Sequence, residues 1–147
     1  MARTPTPTWN FALVVVQLGQ RFLLVHERKH GETWYLPAGR VELGESFFDA
    51  ARRETREETG IDVVLEGILH IEHQCAPDFA RMRVVFVARP ADATAPRAEP
   101  NEHSLEAKWF TAEEMAELPL RADEACTLAR DLLDGAPVYP LSVLVTL

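Results

Sequence analysis

The run Arg53-Glu54-Thr55-Arg56-Glu57-Glu58-Thr59-Gly60-Ile61, preceded by Glu45 and by Gly39, decides how this chain is read. Ser46 is a good N-cap, Asp49 stands at capping-box distance and Gly60 is placed to end a helix, so the spacing predicts a helix over 46–59. On a wheel of about 100° per residue, Phe47, Ala51, Glu54 and Glu58 share one narrow stripe flanked by Ala50 and Glu57. The carboxylates thus continue the apolar stripe, where solvating charges do not belong. Glutamates at i, i+3 and i+4 have Cβ atoms about 5–6 Å apart and repel one another, so a positive group is expected among them. Mg²⁺ suits such a place, because it is commonly held by one or two carboxylates together with waters and substrate phosphates. Taken alone, the helix is as well explained as an exposed acidic surface paired with Arg52, Arg53 and Arg56.

The spacing around the helix weighs against that blander reading. Five residues separate Gly39 from Glu45 and seven separate Glu45 from Arg53. Seven fixed residues, each drawn at roughly one in fifteen, should meet by chance in such a chain less than about once in a million. The pattern resembles the box of the Nudix hydrolase family at every fixed position, with one departure at Thr55, where the family usually has an aliphatic residue.

The resemblance implies an α+β fold, an α/β/α sandwich with a mixed central sheet, in which the loop and the helix form one metal-binding unit. It implies Mg²⁺, with Mn²⁺ able to substitute, held by Glu54, Glu57, Glu58 and the main-chain carbonyl of Gly39. Glu45 and Arg53 match a pair that fixes the loop against the helix. Cleaving a diphosphate needs neutralised oxygens and a nucleophilic water, both of which metal ions supply. A carboxylate beside that water can take its proton; Glu57 is the first choice as catalytic base and Glu54 the second.

Working outward, Trp9 to Gln17 and Arg21 to His26 read as two core strands joined as a hairpin. Glu27 to Gly31 reads as a solvated turn, which leaves His26 and His30 without a role, and Trp34 to Gly39 as a loop interrupted by Pro37. Ile61 to His73, Arg81 to Arg89 and Leu105 to Phe110 are further strands, and Pro90 to Glu102 is an exposed loop. Thr111 caps a helix running to Leu118, and a last helix covers Arg121 to Leu133. One domain over 1–147 is expected, with 1–8 as a flexible arm.

The net charge of −8 disfavours a nucleic-acid polymer as partner, since backbone binding is driven by clustered Lys and Arg. A small phosphorylated substrate stays open, because bound cations reverse the local field. No run approaches a membrane-spanning length, and the Pro/Thr-rich start lacks a secretory pattern, so a cytoplasmic protein acting as a monomer or homodimer is expected. Cys75 and Cys126 read as reduced, partly buried thiols.

For the substrate, Arg83 is placed to reach a phosphate or to pair with an acid, and Tyr35 to stack on a base or fill the core. Arg40 joins them as a candidate substrate contact. Stretches including Tyr35-Leu-Pro-Ala-Gly-Arg40 and Ser104-Leu-Glu-Ala-Lys-Trp109 look like a Nudix branch acting on nucleoside diphosphates, oxidised purine forms included. Pro77, sixteen residues after Ile61, points more weakly to ADP-ribose or nucleotide-sugar hydrolysis, and a non-catalytic nucleotide-sensing module is the rival from outside enzymes.

Overall fold

The computed structural model describes residues 2–147. Its centre is β1 (Thr8–Leu18), in which Ala12 to Val16 are fully buried one after another. A continuous apolar run of this kind suits a strand covered on both faces, and that is its position. β1 pairs in parallel with β6 (Ala80–Pro90), from Thr8↔Ala80 to Val16↔Ala88. β6 pairs antiparallel with β5 (Val63–Cys75). On the other side, β2 (Arg21–His26) links β1 to β3 (Trp34–Tyr35) and to β7 (Glu106–Thr111), while the short β4 (Ala38–Arg40) lies along β1. Among the described residues the result is a mixed sheet of seven strands.

Alternation along the strands sends neighbouring side chains to opposite faces. Ala12, Val14, Val16, Val84, Phe86 and Ala88 pack against Ala50 and Ala51 of α1 (Phe47–Thr59). Leu13, Val15, Val85 and Val87 pack against Met115 of α2 (Ala112–Met115) and Ala125, Leu128 and Ala129 of α3 (Glu124–Leu133). Helices therefore cover both faces, as the sandwich expectation required.

Several local expectations are corrected. The loop Trp34 to Gly39 carries two short strands, because Val25↔Tyr35 and Leu13↔Ala38 satisfy its backbone in the sheet. The last helix starts at Glu124 and not at Arg121: the Trp34 N–H donates to the Pro119 carbonyl and the Arg121 N–H to the Trp34 carbonyl, which holds 119–121 extended. The helix after Thr111 is a single turn with a complete capping box. The turn after His26 is less solvated than expected, since Glu27 pairs with Arg121 at 3.2 Å and His26 stacks on Trp34. Cys75 is exposed and Cys126 half-buried, both unpaired. The expected N-terminal arm begins at Met1, which lies outside the described residues; Pro7 already accepts from the Ala80 N–H. Among the described residues no helix is long and apolar enough to cross a membrane.

Candidate active site

α1 is built to hold its glutamates still. The Ser46 hydroxyl accepts from the Asp49 N–H at 3.0 Å, and Gly60 ends the helix at φ +77°, a conformation costly for any residue with a Cβ. Its last turn is tied down from the loop that follows β6. Arg97 donates to the Glu57 and Glu58 carbonyls at 3.1 and 2.8 Å, Ser104 Oγ donates to the Glu58 carbonyl at 2.6 Å, and Asn101 Nδ2 donates to the Glu57 carbonyl. A cation at a helix C-terminus also opposes the negative end of the helix dipole. The expectation of a simple exposed loop over 90–102 missed Arg97 and Asn101, and Ser104 just beyond it was given no capping role. Nothing in the spacing of Arg97, Asn101 and Ser104 signals their role.

The fully buried residues of α1 are Ala50 and Ala51, which the helical wheel placed on or beside the core stripe, together with Thr55 and Thr59, which it did not. Glu54, Glu57 and Glu58 are partly buried. Thr55, the departure from the family pattern, is fully buried and donates its hydroxyl to the Ala51 carbonyl at 2.8 Å.

Arg53 organises the loop and the helix together. Nε and Nη2 grip both Glu45 oxygens at 2.7 and 2.9 Å, and Nη1 reaches Glu54 at 2.9 Å and Glu57 at 3.2 Å. Nη2 also donates to the Arg40 carbonyl at 3.1 Å, which fixes the end of β4. These bonds hold the Glu45 carboxyl below the usual range and the Arg53 guanidinium above its own. Glu58 Oε1 accepts from the Ala38 N–H at 3.0 Å. Gly39 sits directly against the Glu54 carboxylate, so close that a Cβ at residue 39 would overlap it. Burial pushes the Glu54 carboxyl above its usual range despite Arg53, and pushes Glu58 well above it.

The donor set can be tested against a metal. Glu54, Glu57, Glu58 and the Gly39 carbonyl are all oxygen donors, which a hard divalent cation prefers. Burial is the first cause of the raised Glu54 and Glu58 carboxyls and disfavours their ionised forms. Among the described residues no three acidic, His or Cys side chains are grouped so that together they could hold a metal ion; Glu54 and Glu57 instead share the Arg53 guanidinium.

The expected substrate contacts divide. Of the two readings of Arg83, the structure realises the ion pair: its guanidinium donates to Glu124 at 2.9 and 2.5 Å and to Glu72 at 2.9 Å. Glu124, which the sequence reading did not single out, also receives the Tyr35 hydroxyl. Tyr35 is buried, with the Arg121 guanidinium 4.9 Å from its ring centre. Arg40 lies over the Trp9 ring at 4.4 Å. Tyr35 and Arg83 line one cavity with Gly39, Arg81 and Arg121.

A mixed sheet between helical layers thus carries an acidic helix that one arginine locks to the loop before it. The NUDIX domain model matches residues 6–130, and the chain belongs to that family. It is 37% identical over 105 residues, 69% of its length, to the 8-oxo-dGDP phosphatase NUDT18 of Homo sapiens, and it spans 31% of that protein. To the phosphatase NudJ of Escherichia coli it is 31% identical over 103 residues, 69% of this chain and 67% of the relative. A NUDIX hydrolase from Nitrosomonas europaea superposes with a TM-score of 0.79 at 25% identity, covering 98% of each chain.

Proposed function

We propose that this chain is a Mg²⁺-dependent hydrolase of the diphosphate linkage in nucleoside di- or triphosphates, oxidised purine nucleotides included. The observation that carries the reading is the Arg53 clamp, which ties Glu45 of the loop to Glu54 and Glu57 of α1, with the Glu54 carboxylate held against Gly39. Similarity to proteins named 8-oxo-dGDP phosphatase supports the substrate class, although the chain spans only about a third of their length.

Glu54, Glu57, Glu58 and the Gly39 carbonyl would hold the metal, with Mn²⁺ able to replace Mg²⁺. When bound, the ion neutralises phosphate oxygens and lowers the pKa of a water. Glu57 takes the proton of the attacking water on its carboxylate, and Arg53 fixes the direction in which Glu54 and Glu57 point. Glu45 acts through Arg53 and is a positioning residue.

Hydrolysis of a nucleotide panel in ¹⁸O-labelled water, with Mg²⁺ and with Mn²⁺, tests the reading. A nucleoside monophosphate beside phosphate or pyrophosphate is the expected product. AMP beside ribose 5-phosphate would move the assignment to ADP-ribose, and tight binding without turnover would make the chain a sensing module.

A further inference from the structure

On the sheet face opposite α1, the cover given by α2 and α3 stops short. Leu13, Val15, Val85 and Val87 lie buried beneath it. Two residues nearer the start of each strand, Phe11 and Arg83 are half-buried; two further, Trp9 and Arg81 are exposed. Register places Arg40, Phe11, Arg83 and Glu72 in one row across the sheet, and Trp9, Arg81 and Gln74 in the next. Registered neighbours project from the same face. Three strand spacings of about 4.8 Å carry this shelf ~14 Å from β4 to β5, a span that suits a nucleoside with its phosphates.

Two shallow, open depressions lie side by side along the shelf from the Gly39 end outward. A cavity of about 190 Å³ beside Gly39 shares Phe11 and Arg81 with one of about 350 Å³ lined by Trp9, Phe11, Arg40, Phe79 and Arg81. Volumes from about 300 Å³ upward are usual for small-ligand sites, with apolar walls and few polar groups. Gln74 borders the far end together with Glu72, Arg81 and Arg83.

Charge singles out two of the arginines here. Arg83 is neutralised by Glu124 and Glu72, and Arg121 by Glu27. Arg40 and Arg81 have no carboxylate partner among the described residues, although the chain carries a net charge of −8. Each instead sits over an aromatic ring, Arg40 over Trp9 at 4.4 Å and Arg81 over Phe11 at 4.5 Å. Trp9 remains 42% exposed, which leaves an indole face available to a ligand. Aromatic faces flanked by guanidinium planes accept a planar base regardless of its sequence of edge groups, while a side-chain amide can read that edge.

We propose that this shelf is the nucleoside subsite: the base stacks among Trp9, Phe11 and Phe79, Arg81 meets the negative charge of the substrate, and Gln74 reads the edge of the base. The larger stacking surface of a purine makes it the favoured class over a pyrimidine. The proposal rests on the nucleotide-hydrolase reading above and adds specificity residues to it.

The test is metal-free titration in EDTA, which separates binding from turnover. GMP, AMP, CMP and ribose 5-phosphate are added while tryptophan emission and heat of binding are followed. Purine monophosphates should bind about tenfold or more tightly than ribose 5-phosphate and quench emission, and W9F should abolish the quench while keeping affinity within a few-fold. W9A and R81A should each weaken GMP binding by about tenfold, and Q74A should change the GMP to AMP ratio. Equal binding of all four ligands, or W9A and R81A variants with unchanged GMP affinity and intact urea unfolding, overturns the subsite. If nucleoside diphosphates are hydrolysed at rates indifferent to base and to these variants, the subsite falls and the hydrolase reading stands. Base-dependent binding without turnover leaves the subsite and removes the hydrolase reading.

Discussion

Arg53 grips both carboxylate oxygens of Glu45, at 2.7 and 2.9 Å, across the seven residues between them, joining the loop before α1 to the middle of the helix. The pair is two-pronged, and the same guanidinium reaches Glu54, Glu57 and the Arg40 carbonyl. An ammonium cannot reproduce a planar fork. Arg53→Lys should therefore keep the charge but lose the geometry: kcat falls by about tenfold to a hundredfold, of the order seen when groups that orient metal ligands are lost, with a stability loss of about 1–2 kcal/mol in urea unfolding. Unchanged kcat in the lysine variant would remove Arg53 from the positioning role.

Glu57 is less buried than Glu54, with 33% against 16% of its side chain exposed, so it is the carboxylate better placed to exchange a proton with water. Glu57→Gln preserves shape and removes basicity. At saturating Mg²⁺ its kcat should drop about 10²–10⁴-fold, with unfolding midpoint and KM close to those of the parent. Near-normal turnover would transfer the base role to Glu54.

A methyl group at residue 39 would overlap the Glu54 carboxylate. Displacement of Glu54 from the Gly39 backbone should damage metal binding more than folding. Gly39→Ala is expected to raise the Mg²⁺ concentration needed for half-maximal activity by at least tenfold, measured by metal titration of the rate, with an unfolding midpoint little changed. Loss of the fold without a shift in metal requirement would contradict this.

The family and the glutamate helix were legible because they rest on local spacing: caps at Ser46 and Gly60 and fixed distances among Gly39, Glu45 and Arg53 act over a few turns. The strand of five fully buried residues in β1 was legible for the same reason. What escaped depends on chain segments far apart. Arg97 and Ser104 cap α1 from about 40 residues away, as the separations of 39 and 46 positions show. Glu124 claims Arg83 across 41 positions, so alternation placed Arg81 and Arg83 on one face but could not say which of them a carboxylate would take. The wheel set the glutamates on the core stripe because it treats Thr55 and Thr59 as polar, whereas both hydroxyls donate to carbonyls one turn earlier in the helix and are buried there.

Glu27 and Glu124 should give opposite pH signatures. Burial raises the Glu27 carboxyl above its usual range, more than Arg121 lowers it. The ionised form is thus disfavoured in the folded protein, and stability is lost as pH rises through that raised pKa. Glu27→Gln should be stabilising near neutrality, with the gain shrinking below the ordinary carboxylate range, where the parent is protonated in both states. Hydrogen bonds from Arg83 lower the Glu124 carboxyl, so its contribution is present above the ordinary range and lost as pH falls through the lowered value. Glu124→Gln should be destabilising near neutrality and approach the parent in acid. Urea unfolding of both variants from pH 3 to 8 checks the two signs together.

The two buried threonines of α1 make a matched pair for the last prediction. Thr55 Oγ1 donates to the Ala51 carbonyl, which the helix already uses. Replacing that hydroxyl by a methyl group leaves no buried group newly unpartnered and adds apolar contact, so Thr55→Val should change stability by less than about 1 kcal/mol, in the stabilising direction. Thr59 Oγ1 donates to the Thr55 carbonyl at 2.6 Å and also accepts from the Ile61 N–H at 3.1 Å, just past the helix end. Thr59→Val strands that buried N–H, which costs about 1–3 kcal/mol. Both variants should keep kcat within a few-fold, because neither hydroxyl touches the glutamates. The contrast is read from urea midpoints: equal effects of the two substitutions would mean that the Ile61 bond contributes nothing to how α1 is held.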